Sequence, residues 1–152
     1  MDTATLAVPI LFAAGVGAGI VSTLVMDRVM ARLPEGRTPM YIASGVLTDR
    51  PPGEAPGRLA AVVHYVAGLL TGPLFVWLLL TSEGLLGASV VATLAATAVL
   101  LVLMIGFFAI VVLPRSRVDA GRLGAIRRDW SLAATAYLAI LVPVVSVAAR
   151  LV

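Results

Sequence analysis

Four stretches of this chain stay apolar for about the 20 residues that a helix needs to cross a bilayer. Read as helices, they cover about residues 5–32, 59–80, 84–113 and 131–151. Their apolar positions run on continuously and lack the alternation of a barrel strand. The predicted fold class is therefore all-α: an integral membrane four-helix bundle, one transmembrane domain over 1–152. The third stretch carries no charge and is longer than a perpendicular crossing needs. That predicts a tilt, or an interfacial turn near residues 84–87.

The polar links differ in length. Ser82, Glu83 and Gly84 leave room only for a tight turn, making the second and third helices an antiparallel hairpin. The first link, from Leu33 to Arg58, contains Pro34, Pro39, Pro51, Pro52 and Pro56, strong turn chemistry around an apolar centre. That centre, residues 40–47, reads as a short helix lying in the headgroup region. The third link, from Pro114 to Trp130, is rich in arginine. Trp77 and Trp130 are placed as interface anchors, one at each side of the membrane.

Composition supports the same class. Hydrophobic residues make up 61% and charged residues 12%, and the mean hydropathy is +1.06. A soluble domain carries about twice that charged fraction. The absence of cysteine excludes disulfides, thiolate metal sites and thiol redox chemistry. With one histidine, no metal site or cofactor is expected. All eleven basic residues are arginine, and ten of them flank the first and third links, leaving Arg150 on the other side with Asp2 and Glu83. The positive-inside rule then gives an N-out, C-out protein of the cell membrane with long cytoplasmic loops 1 and 3. In a soluble protein the net charge of +3 would hint at nucleic acid. Here the arginines meet lipid phosphate instead, and Arg115, Arg117, Arg127 and Arg128 are the candidate headgroup contacts. The first apolar stretch has no cationic residues before it, which argues for a retained helix over a signal peptide.

Lipid tails supply no hydrophobic drive for helix association, so bundles pack through small residues and occasional polar contacts. Gly15, Gly19, Thr23 and Asp27 recur every four residues on the first helix, as do His64, Gly68 and Gly72 on the second. An antiparallel pair sets Gly15 against Gly72, Gly19 against Gly68, and Thr23 or Asp27 beside His64. The alternative is that these glycines are the ordinary background of an apolar helix. Ser89, Thr93 and Thr97 form a polar stripe on the third helix, and Pro73 and Pro143 are expected to bend their helices. Asp27 and His64 are the ionisable residues placed within or at the edge of the hydrocarbon, with Tyr41 and Tyr65 as neighbours. Two readings stay open, a functional carboxylate–imidazole pair or a structural fastening of the first two helices.

The run Gly19-Ile20-Val21-Ser22-Thr23-Leu24-Val25-Met26-Asp27, followed by Tyr41, Gly45, Pro56 and His64-Tyr65-Val66-Ala67-Gly68, resembles a family of small prokaryotic four-helix membrane proteins of unknown function. The resemblance covers residues 15 to about 75 and implies a topology and an interest in Asp27 and His64. It implies no activity. Standard catalytic and nucleotide motifs are absent from the chain. The expected function is a non-enzymatic accessory or scaffold subunit that binds membrane lipids, a second copy of itself or another membrane protein. The rivals are an oligomeric proton or small-solute transporter using Asp27 and His64, and a lipid-modifying enzyme using His64.

Overall fold

The computed structural model describes residues 3–152, so Met1 and Asp2 lie outside the described residues. Every element in it is helical: α1 (Thr3–Met30), α2 (Thr38–Thr48), α3 (Gly57–Leu86), α4 (Val90–Gly106) and α5 (Leu123–Leu151), with short 3-10 turns between them. Four segments are long and apolar enough to cross a membrane, Ala7–Met30, Gly57–Leu86, Val90–Arg115 and Ala120–Leu151. Packing is hydrophobic inside and out. Phe75, Leu79, Leu100, Leu141 and Val145 are buried in the core, while Ile20, Val66, Leu94, Val102 and Ile110 are exposed on the outer faces. A helix that is apolar all round is what a membrane-spanning bundle requires.

Several boundaries differ from those expected, each for a local reason. Ser82, Glu83 and Gly84 do not break the second membrane helix, which runs on through Leu86. The turn falls at Gly87, whose φ of 73° suits glycine, and at Ser89, whose hydroxyl accepts the Ala92 N–H and so caps α4. The third membrane helix therefore starts at Val90 instead of 84. It passes at its far end into a π-helical stretch, Phe107–Val112, and a 3-10 turn, Leu113–Arg115. The last helix starts at Leu123, eight residues before 131. A hydropathy window marks depth in the membrane, and Arg127, Arg128 and Asp129 lower it without interrupting the helix. α1 ends at Met30 instead of residue 32. Pro73 and Pro143 both lie inside unbroken helices. The stripe Thr93 and Thr97 bonds to its own helix, at the Ser89 and Thr93 carbonyls.

α1 packs chiefly on α3 and α5, and α4 closes the ring against both of these. The α1–α3 seam is a backbone approach. A Cβ built on Gly19 would lie 2.8 Å from the Gly68 carbonyl oxygen, and one on Gly15 would lie 3.1 Å from that of Gly72. A Cβ on Gly72 would run into the Gly15 carbonyl, and one on Gly68 into Thr23 Oγ1. The two helices are thus antiparallel in a register that only glycine permits at these four points. Tyr137 of α5 adds a third helix to the same node, its hydroxyl donating to the Gly68 carbonyl at 2.6 Å.

α2 covers the arginine-rich end of the bundle. Thr38-Pro39 opens it, proline having the φ of a first helical turn and no N–H to satisfy. Asp49 closes it in the left-handed region before Arg50-Pro51-Pro52. Its Ile42 is fully buried against Phe108, Leu113 and Ile126. The turn before α2 is held from α5. Asp129, fully buried, accepts the Glu35 N–H at 2.8 Å and hydrogen bonds from Arg128. Glu35 in turn takes both arms of the Arg122 guanidinium, each at 2.8 Å, and the Thr38 hydroxyl at 2.5 Å. Such fork-to-carboxylate pairs are geometrically specific as well as charged.

Two expectations follow from these contacts. Gly72→Ala should destabilise the protein by about 1–3 kcal/mol through overpacking against backbone, while Gly17→Ala, with open space around it, should be neutral or slightly stabilising. Thermal unfolding of the two variants in one detergent checks this. The Arg122 hydrogen bonds, foremost, hold the Glu35 carboxyl below the ordinary glutamate range despite its partial burial. A lowered folded-state value means the tether is at full strength above the ordinary range and is lost as pH falls through the lower value. Hydrogen exchange of α2 should stay slow until the pH is below the usual glutamate range. In Arg122→Ala the onset of fast exchange should move upward.

Candidate functional site

Where the glycine seam ends, larger polar residues take over. Asp27 stands on the last turn of α1, and His64 and Tyr65 on the third turn of α3. His64 Nε2 is 2.7 Å from Asp27 Oδ1, and the Tyr65 hydroxyl donates to Asp27 Oδ2 at 2.5 Å. The carboxylate thus has a partner on each oxygen. A carboxylate only accepts, so Nε2 is the donor in this contact. The His64 side chain is 8% exposed and that of Asp27 30%, while Tyr65 stands edge-on to the imidazole, with ring centres 5.4 Å apart. Thr23 lies one turn away, its hydroxyl donating to the Gly19 carbonyl. Tyr41 is elsewhere, packed 3.8 Å from where a Gly57 Cβ would sit.

His64 also forms part of the wall of a cavity of about 420 Å³. The cavity is half-open at the side of the bundle, bounded by Met26 of α1, Met40 of α2, Leu74 of α3, Met104 of α4 and Tyr137 of α5, with Leu74, Leu103 and Phe107 at its exposed rim. Its size is that of small-molecule sites, and its lining is almost wholly apolar. The π-helical stretch contributes Phe107, Phe108 and Val112 to one wall. A π-turn adds a residue to the helix circumference and is frequent at functional sites. Trp130 completes that wall. Expected as an interface anchor, it is half-buried against Phe108, the ring centres 5.0 Å apart and the planes tilted by 36°, and it donates its indole N–H to the Met104 carbonyl at 3.2 Å. Trp77 is 56% exposed on the outside of α3.

The four arginines offered for lipid phosphate have different immediate partners. Arg115 donates to the Val111 carbonyl of its own turn, Arg117 pairs with Asp49 at 2.7 Å, and Arg128 pairs with Asp129 at 2.8 Å. Arg127 is exposed and forms no ion pair among the described residues. Among the described residues, no group of His, Asp and Glu has the arrangement of a metal site.

Sequence reading missed Asp129, which is more buried than Asp27, and it missed Tyr137 and the cavity. The first two were findable. Ile126, Asp129, Ala133 and Tyr137 recur at helical spacing, so extending the last helix backwards would place the acid on its inward face between outward arginines. The cavity depends on a π-turn, which no periodicity announces.

If Asp27 fastens α1 to α3, Asp27→Ala should cost about 2 kcal/mol by orphaning two donors. Asp27→Ala and His64→Ala combined should cost less than their sum by about 1 kcal/mol. Unfolding of the three variants in mixed micelles measures that coupling. A search of family models, curated proteins and solved structures found no match to this chain, so its functional reading rests on its own geometry.

Proposed function

We propose that this is an accessory protein of the cell membrane that holds one lipid-like molecule in a pocket between its helices. The cavity carries the reading. Its volume of about 420 Å³ and its almost wholly apolar lining suit an apolar ligand. In a bilayer the available occupant is a membrane-soluble molecule. The arginine asymmetry supports an orientation with both termini outside and the α1–α2 and α4–α5 links in the cytoplasm. The cavity then lies in the cytoplasmic half of the membrane, under α2. Arg115, Arg117, Arg127 and Arg128 ring that end at headgroup level, where each gains about 1 kcal/mol from an anionic leaflet.

The transporter reading calls for a polar path across the bundle. Asp27 takes hydrogen bonds from His64 and Tyr65 at one end. Further along, Thr71, Thr93 and Thr97 donate to their own helix backbones. No observation favours transport over binding.

The test is native mass spectrometry of the protein released from lipid nanodiscs. The expected result is one reproducible bound molecule, absent from Ala43→Phe, whose ring would enter the cavity from α2. Identical spectra without an adduct for both proteins would sink the reading.

A further inference from the structure

Accepting that binding reading, the chemistry of the wall specifies the occupant. Five polar side chains line the cavity, and the hydrogens of all five are already engaged. Thr23 donates to the Gly19 carbonyl, Thr71 to that of Ala67, Tyr137 to that of Gly68 and Trp130 to that of Met104. His64 donates through Nε2 to Asp27. What the wall retains is acceptors: the lone pairs of the three hydroxyls and, in the neutral ring with its hydrogen on Nε2, His64 Nδ1. That nitrogen has no partner among the described residues, on a side chain more than nine-tenths buried. A donor seated in the cavity would give that nitrogen a partner. The wall also contains no lysine or arginine, and Asp27 stands behind the imidazole. An anionic headgroup would be uncompensated there.

We infer that His64 is neutral with its hydrogen on Nε2, and that the cavity takes an uncharged lipid with an apolar body and one hydroxyl, the hydroxyl donating to His64 Nδ1. Asp27 is then a positioning residue. It fixes the imidazole tautomer, so that the ring offers a lone pair to the cavity instead of a hydrogen. The aromatic wall of Phe107, Phe108 and Trp130 suits the apolar body.

The experiment uses the full chain carrying Trp77→Phe, in phosphatidylcholine nanodiscs, with Trp130 fluorescence as the reporter. Dodecanol, its methyl ether and dodecane are titrated in turn. Dodecanol should saturate at about tenfold lower concentration than the ether, the equivalent of one hydrogen bond. His64→Gln keeps an amide N–H for Asp27 and has no lone pair at the place of Nδ1, so the preference should vanish there while dodecane still binds. Should that variant fail to fold, the ¹⁵N resonance of Nδ1 in the His64 protein decides. It should move with dodecanol and stay still with the ether. Equal binding of alcohol and ether, or an Nδ1 that carries hydrogen at neutral pH, would overturn the hydroxyl assignment and leave the cavity reading standing. Saturation by none of the three would overturn both.

Discussion

The structure depends on how closely two backbones approach each other at Gly15, Gly19, Gly68 and Gly72. In a bilayer, van der Waals contact is a main source of helix affinity, and it falls steeply with separation. Four glycines facing one another let α1 and α3 meet backbone to backbone, which locks their register as well as their distance. The register in turn sets Asp27 level with His64 and Tyr65. It also leaves the Gly68 carbonyl open to Tyr137, so the α1–α3 seam gains a clasp from α5.

The same seam explains why a cavity lies where it does. Beyond Gly68 and Gly19 the facing residues are Thr23, Met26 and His64, too large for backbone contact. Opposite them, α4 gives up its regular turn for the π-helical stretch at Phe107–Val112. Tight packing in one half of the bundle and a chamber in the other follow from a change of residue size along two helices. α2 then closes the chamber from the arginine-rich end, through Pro39, Met40 and Ala43.

Much of this is legible in the sequence, for reasons that differ by residue. Membrane spans are legible because hydropathy is a sum over many residues. The facing glycines are legible because a period of four needs only the helix repeat. Asp129 and the start of α5 are obscured by the same sum, since charges that extend a helix beyond the hydrocarbon look like loop. Tyr137 has no local signal until its inward neighbours Ala133, Ala134 and Leu141 are set on one face. The half-buried placement of Trp130 depends on Phe108 and Met104, residues of another helix. Contacts of that kind leave no trace in local pattern.

The tether at Glu35 joins residues 94 positions apart in the chain, and both groups that hold it, Asp129 and Arg122, come from the α5 side. Chains are made from the N-terminus and begin to organise during synthesis. α2 is therefore completed long before its anchor exists, and until α5 arrives the chamber has neither its Tyr137 wall nor a fastened cover. The contacts that fasten α2 over the pocket therefore wait on the last helix of the chain.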